Sequence, residues 1–309
     1  MKKPLVYVSV LIWNSERWLE RCFDSLFKTE YTNFQLVVVD NNSTDRSADI
    51  VRDKYPQAHL ITNKKNKGFA EGHNIGIRYA LKEDAEFVVI LNVDTILDPL
   101  WLSELVDSAR EHPEFDIFSP MQYDYQGKEI DGTFMRILEE NAQLIADLEK
   151  NRPLKKIYEL SRTFAAAIFF RRETLLKVGL FDPLFFIYAE EVDFFQRALF
   201  HGIRTVVVTT SKFNHWHVGR NPEKKDLLRI TYLTMRNRYM SMLKDPRYSF
   251  SSNMVRWITG LAIDIKKDFS SWKGFFFAPF RITIQLWLVY HLPVIIYKRN
   301  LEKQKACYL

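Results

Sequence analysis

Two acidic stretches carry the residue types best suited to chemistry. The first is Val88-Val89-Ile90-Leu91-Asn92-Val93-Asp94-Thr95, an apolar run that ends in an amide and a carboxylate. Such a run predicts a buried strand presenting Asp94 at its mouth. One carboxylate suffices for Mg2+ or Mn2+ when a diphosphate completes the shell, because these ions favour oxygen ligands and retain waters and substrate phosphates. A helix cap or a loop salt bridge accounts for a lone Asp94 equally well. The second stretch is Tyr188-Ala189-Glu190-Glu191-Val192-Asp193-Phe194, three carboxylates in four positions between aromatic runs. Charges so close repel, so a raised pKa or a neighbouring cation is expected, and a carboxylate so tuned serves as a general base. The plain alternative is a solvated acidic helix start facing the dipole. Phe185-Phe186-Ile187-Tyr188 and Phe194-Phe195 argue against full solvation.

Other polar residues group around these. Asp40, followed by Asn41 and Asn42, can accept a hydrogen bond from a nucleobase N–H while the amides serve ribose or phosphate; asparagines after a strand are equally good turn formers. Trp13 can stack a pyrimidine or lie in the core. Gly68, Gly72 and Gly76 recur every fourth residue and permit close backbone approach near a ligand. His215 and His217, two apart, share one face of a strand, and either imidazole can join a metal shell.

These residues need a scaffold that presents strand ends. Leu5 to Ile12, Phe34 to Val39, His59 to Thr62 and the run before Asp94 read as strands, with helices from about Glu16 to Phe27, from Ser43 or Thr44 towards Tyr55, and from about His73 to Leu81. Strand and helix thus alternate, the pattern of a parallel sheet wound with crossover helices, in which ligands sit at the carboxyl ends of the strands. Trp13, Asp40 and Asp94 all fall there. Further on, helices are expected at Leu100 to Glu111, Arg172 to Val178 and Val192 to Phe200, and strands at Asp116 to Met121, Phe164 to Phe170 and Arg204 to Thr209. Residues 136–160 are charged and are left unplaced.

The 309 residues, 47% hydrophobic and 27% charged, suit a large folded core and exclude wholesale disorder. Net charge is +6, which favours anionic partners, but no motif points to nucleic acid. Two cysteines, Cys22 and Cys307, imply a reducing setting without a disulfide framework. The apolar run after Met1-Lys2-Lys3-Pro4 is too short for a signal peptide. In the last ninety residues, hydrophobic segments alternate with basic ones. Trp257 to Ile265 precedes Lys266-Lys267, and Phe275 to Tyr297 precedes Lys298-Arg299. Interruptions at Pro279, Arg281, Gln285, His291 and Pro293 argue against an unaided span, and the pattern fits helices lying in a membrane interface. A helical bundle packed on the first domain or on a second subunit of a homo-oligomer is the alternative.

The chain resembles the family 2 glycosyltransferases, in particular bacterial rhamnosyltransferase-like members that build surface polysaccharides. The resemblance runs from about residue 5 to 240. It rests on Val8-Ser9-Val10 through Asn14, Val37-Val38-Val39-Asp40-Asn41-Asn42-Ser43-Thr44-Asp45, and Asn66-Lys67-Gly68-Phe69-Ala70 through Asn74-Ile75-Gly76. It continues with Leu91-Asn92-Val93-Asp94-Thr95, Gly179-Leu180-Phe181-Asp182, Tyr188 to Asp193, His217-Val218-Gly219 and Arg236-Asn237-Arg238. What it implies is an α/β GT-A fold, a Rossmann-like wound, mainly parallel sheet with a C-terminal helical region. Residues 1–98 would be the nucleotide-sugar half, 99–222 the acceptor half and 223–309 the C-terminal helices. The implied activity is metal-dependent (Mn2+ or Mg2+) inverting transfer from a UDP- or dTDP-linked sugar to a glycan or lipid-linked glycan, at the inner face of the cell membrane. By position, Asp40 looks like the nucleobase contact, Trp13 its stacking neighbour and Asp94 the metal ligand of an Asp-x-Asp motif. Glu191 matches the base, with Asp193 as competitor, and His217 lies close to metal and diphosphate. Asn14, Asn42, Asn66, Gly68, Asn74 and Val93 complete the implied nucleotide-binding set. Asn92 replaces the first Asp of the motif, and Glu191 stands where Asp is usual. A nucleotidyltransferase, or a membrane-associated partner subunit with a degenerate site, is the alternative activity.

Overall fold

A computed structural model describes residues 3–216, 224–269 and 278–309. The sheet begins with four parallel strands in the spatial order β3 (His59–Thr62), β2 (Phe34–Asp40), β1 (Val6–Ile12), β4 (Phe87–Asn92). In β1, Val6, Val8, Val10 and Ile12 face one side and Tyr7 the other, the two-residue period of a strand covered on both faces. On the first side, helices α1 (Glu16–Leu26) and α4 (Trp101–Glu111) bring Leu19, Phe23, Leu26, Trp101 and Leu105 onto the sheet. On the other, α3 (Gly68–Lys82), α7 (Arg172–Val178) and α8 (Glu190–Phe200) bring Ile77, Leu175 and Phe194. Helix α2 (Ser47–Lys54) follows β2.

Beyond β4 the sheet becomes mixed. Strand β8 (Ala167–Arg171) runs antiparallel to β4, and β6 (Ile117–Tyr123) lies between β8 and β9 (Thr205–His215). The short β5 (Thr95–Leu97) and β7 (Ile157–Leu160) both pair antiparallel with β9. Residues 136–160, unplaced from sequence, finish α5 (Gly132–Leu138) and form α6 (Ala142–Glu149) and β7 around Met121, Phe134 and Leu144. Strand β9 runs to His215 rather than stopping at Thr209, because β5 supplies a partner for its last residues through Thr95↔His215 and Leu97↔Phe213.

Helix α3 starts at Gly68, five residues earlier than expected. Its glycines answer to protein rather than to ligand: a Cβ on Gly72 would run into Leu11, and one on Gly76 into Ser9 and Val39. They let the helix lie close on β1 and β2.

The C-terminal helices α9 (Lys224–Lys244), α10 (Phe250–Phe269) and α11 (Ala278–Glu302) enclose their own apolar core of Tyr239, Met240, Leu243, Trp257, Ile284 and Leu288, joined by Phe185 from the sheet domain. A buried ionic knot ties them to α8. Lys244 Nζ meets Asp182, lies 2.9 Å from Asp193 and 2.5 Å from Glu302, while Lys298 reaches Asp182 at 2.5 Å and Arg197 reaches Asp193 at 3.0 Å. Three cations face three carboxylates, so no buried charge is left without an opposite.

Candidate active site

The parallel register sets Ile12 beside Asp40 and Leu11 beside Asn92, so the ends of β1, β2 and β4 open on one edge. Trp13, just past β1, is 53% exposed, which removes the core alternative and leaves its face open for stacking. Asn14, in the left-handed region at φ 50°, ties two loops together: its N–H donates to Ser43 Oγ at 3.1 Å and its Oδ1 accepts from Thr44 N at 2.8 Å. Asp40 is buried and its Oδ1 accepts from Ser43 N at 2.9 Å. Asn42 is exposed with φ 66°.

The amide beside it has another task. Asn41 Nδ2 donates to Asn66 Oδ1 at 2.9 Å and to Gly68 O at 3.1 Å, and its Oδ1 accepts from Asn63 Nδ2 and Lys67 N. Asn66 Oδ1 also accepts from Gly68 N at 2.8 Å. Asn41 and Asn66 therefore shape the loop before α3.

Three members of the sequence-derived set are committed to protein contacts. Gly68, at φ +81°, packs against Phe186, whose carbonyl accepts from Phe69 N at 2.6 Å. Asn74 is fully buried and clips the backbone of Phe181, donating to its O at 2.8 Å and accepting from its N at 3.0 Å. Both fasten the 181–189 loop onto α3; neither presents a free polar group to a nucleotide. Asp193 likewise spends both oxygens on Arg197 and Lys244 and is 1% exposed. A carboxylate held by two buried cations is a poor base for an incoming hydroxyl, which corrects its candidacy.

Asp94 is 7% exposed, and its Oδ1 lies 3.2 Å from His215 Nε2. Gln122 Nε2 stands 3.2 Å from His215 Nδ1, so an imidazole carrying its proton on Nε2 accepts from Gln122 and donates to Asp94. Asn92 Nδ2 is 3.5 Å from the same ring, and Trp216 N donates to Asp94 O at 3.0 Å. Val93 is half-buried between Asn92 and Asp94. His217 lies outside the described residues. The histidine at Asp94 is His215, brought there by the β5–β9 pairing; the spacing of two had marked both histidines without separating them. Gln122 was missed, and nothing local distinguishes it from any polar strand end. Among the described residues no group of three or more His, Cys, Asp or Glu gathers as a metal site. Asp94, with the Asn92 amide beside it and His215 orienting its carboxylate, still offers oxygen ligands of the kind that hold Mg2+ or Mn2+ together with a diphosphate. Beneath them Cys22 is buried, its thiol pushed up to about 12 by burial, and Cys22 and Cys307 are both free.

The second acidic stretch begins with two strained residues. Tyr188 and Ala189 both adopt left-handed backbone, φ 72° and 64°, at a cost on the order of 1–3 kcal/mol each. Asn237 of α9, fully buried, donates from Nδ2 to Ile187 O at 2.9 Å and Tyr188 O at 2.8 Å, while its Oδ1 accepts from Arg236 Nε at 2.8 Å. The loop thus turns sharply into α8, which starts at Glu190 rather than Val192. Glu190 is 4% exposed, and its Oε2 has no hydrogen-bond partner among the described residues. Burial, and then the charge of Glu191, hold its pKa well above the usual carboxylate range. Glu191 is half-buried, and burial raises its pKa too, against the pull of Arg162. The loop carrying Arg162 reaches the first acidic stretch, since Ala166 O accepts from Asn92 N at 2.8 Å.

Comparison with known proteins identifies the family and the fold. The sequence profile of the family described as Glycosyl transferase family 2 matches residues 7–179. Putative glycosyltransferase EpsH of Bacillus subtilis is 24% identical over 188 residues, 60% of this chain and 52% of that protein. The dTDP-rhamnosyl transferase RfbF of Shigella flexneri is 24% identical over 222 residues, 68% of each chain. The chain spans about half the length of the first curated relatives it matches, 52% and 42%. Among solved structures, S. aureus TarS 1-349 in complex with UDP superposes with a TM-score of 0.55 at 18% identity, covering 81% of this chain and 68% of that one. GalNAc-T7 with UDP, GalNAc and Mn2+ gives 0.58 at 14% identity, covering 78% and 48%.

Proposed function

From the premise that the chain belongs to glycosyl transferase family 2 and has the GT-A fold, we propose that it is an inverting glycosyltransferase. It moves a sugar from a UDP- or dTDP-linked donor to a hydroxyl of a glycan or lipid-linked glycan in bacterial surface-polysaccharide synthesis. The observation that carries this reading is the common edge on which Trp13, Asp40 and Asp94 open, together with the separately held helix start at Glu191.

The base of the nucleotide stacks on Trp13 and donates to Asp40. Asp94, oriented by His215, would hold a divalent ion at the diphosphate, and that ion would supply charge to stabilise the leaving group. Glu191 takes the proton of the acceptor hydroxyl as its oxygen bonds to the anomeric carbon and the bond to the diphosphate breaks. Burial raises both carboxyls, and Glu190 feels in addition the charge of Glu191, so the two titrate as a coupled pair. Glu191→Gln should retain UDP binding and lose transfer by ~10²-fold or more; retained transfer moves the base elsewhere. Asp94→Ala should abolish the dependence of UDP affinity on Mn2+, and an unchanged dependence removes Asp94 from the site.

A second element of this reading is peripheral contact with an anionic bilayer at the inner membrane face. The chain from residue 223 onward carries sixteen Lys and Arg against six Asp and Glu, whereas the whole chain is only +6. Val255, Ile258 and Phe269 of α10 and Ile282, Leu286, Val289, Tyr290 and Tyr297 of α11 are exposed, while Ile284, Leu288 and Ile295 of α11 face the core. Apolar faces flanked by Lys and Arg bind anionic interfaces. Residues Pro279–Glu302 are also long and apolar enough to cross a bilayer, with mean hydropathy 1.3. Co-sedimentation with anionic but not zwitterionic vesicles, released by salt, is expected. Dimers without vesicle binding would make the face a subunit contact, and resistance to alkaline extraction would make α11 a span.

A further inference from the structure

Between α9 and α11 lies a cation that no carboxylate among the described residues answers. Arg236 is half-buried and stacks on the Trp287 ring of α11 at 4.6 Å. Its Nε donates to Asn237 Oδ1 at 2.8 Å and its Nη2 reaches Leu184 O at 3.5 Å, so both Nη1 donors and one on Nη2 remain. The neighbouring arginines are matched: Arg238 and Arg281 face Asp264, and Arg247 and Arg256 face Asp245. Around Arg236 burial lowers the pKa, and only Tyr232 acts in the opposite sense. Arg229, two turns earlier on the same helix face, is exposed, lies 5.5 Å over the Phe186 ring and likewise meets no carboxylate among the described residues.

The chemistry of this edge selects the occupant. A half-buried guanidinium with unspent N–H groups suits the oxygens of a phosphate. On the same helix as Trp287, Leu286, Val289 and Tyr290 are exposed, the last by 81%. Apolar residues flanking a basic seat match a phospholipid, whose phosphate adjoins its acyl chains; a free phosphate gains nothing from that strip. Arg236 also touches what it would control. Its bonded neighbour Asn237 grips Ile187 O and Tyr188 O, and Leu184 O is its own contact, so both of its protein bonds lead to the turn that starts α8. A ligand shifts a conformational equilibrium only through contacts that differ between the states. Here that contact is Arg236, held by phosphate on one side and bonded to the turn on the other.

We propose that the Arg236 edge between α9 and α11 is a seat for the phosphate of an anionic phospholipid, and that filling it steadies the turn presenting Glu191. The inference rests on the peripheral-membrane reading and adds to it a headgroup site and the segment that site regulates. The test follows the full chain on phosphatidylglycerol and on phosphatidylcholine vesicles, by co-sedimentation and by amide hydrogen exchange of residues 182–193. Wild type should bind the anionic vesicles and exchange more slowly in that segment when bound. Lys266→Gln, an exposed charge on α10, should weaken binding by about fivefold, the diffuse share of one charge, and keep the slowing at saturating lipid. Arg236→Gln should weaken binding by about tenfold or more, as expected for charge-assisted hydrogen bonds, and lose the slowing even at saturating lipid. Arg236→Lys keeps the charge without the planar fork and should lose the slowing too. Arg229→Gln, at an exposed position that spares the fold, should cost more affinity than Lys266→Gln. The seat is overturned if neither Arg236→Gln nor Arg229→Gln exceeds Lys266→Gln, or if both Arg236 variants keep the slowing. It is overturned equally if inorganic phosphate at matched ionic strength slows exchange as fully as the vesicles do, which would make it a site for free phosphate. Wild type that binds no anionic vesicle would strike the membrane reading itself, and the seat with it.

Discussion

Asn237→Asp keeps the shape of the side chain while removing both donors that hold the strained turn before Glu190. In the native fold those donors reach Ile187 O at 2.9 Å and Tyr188 O at 2.8 Å from a fully buried amide. Each such bond contributes about 0.5–1.5 kcal/mol net, so losing two costs roughly 1–3 kcal/mol. The two left-handed residues they restrain store strain of similar size. The balance at this turn is therefore close, and a shift of about 1–3 kcal/mol corresponds to roughly 5- to 150-fold in the population holding Glu191 in place. The proposed base contacts at Trp13 and Asp40 lie on other elements, so UDP affinity should be unchanged. Urea unfolding, UDP titration and single-turnover transfer on the same protein check the three quantities. A variant with lowered stability but wild-type transfer would refute the argument, as would an equal loss in UDP binding and in transfer.

Other expectations concern stability and the donor site. Lys244→Met leaves Asp182, Asp193 and Glu302 facing only Arg197 and Lys298, and breaking a buried ionic cluster in this way should cost about 3–5 kcal/mol in urea unfolding. Glu302 titrates at about 7 in the fold, raised first by burial and then by Asp193. Because its unfolded value is lower, the folded state holds the proton more tightly, so this contribution is complete below the unfolded pKa and is lost as pH rises through about 7. Glu302→Gln should flatten that part of the stability profile measured by urea midpoints across pH. Asp182, held below its usual value by Lys244 and Lys298 against the effect of burial, acts in the opposite sense and loses its contribution as pH falls. Trp13→Ala, at an exposed position, should leave unfolding within ~0.5 kcal/mol of wild type. The same change should weaken UDP binding by about 1–3 kcal/mol, the range of base–aromatic stacking.

The strand ends were legible in the chain itself. Apolar runs closing on Trp13, Asp40 and Asp94 announce buried strands, and alternation with helices places their carboxyl ends together, because a right-handed crossover returns each strand in the same direction. The acidic helix start at Glu190 and Glu191 stood out for a related reason: charge among aromatics is costly and therefore conspicuous. What the chain could not disclose were partners far apart in sequence. Asn74 meets Phe181, Gly68 meets Phe186, and Asp193 meets Lys244 only after α3, α8 and α9 have packed, which turns two candidate nucleotide contacts and a candidate base into fasteners. His215 reaches Asp94 because β9 continues along β5, a pairing that no local pattern encodes. The different surroundings of Glu190, Glu191 and Asp193 depend on where the helix begins. Two left-handed residues and the amide of Asn237 set that point, so tertiary packing, acting on identical carboxyl chemistry, decided which acid is sealed in, which is paired and which is left at the opening.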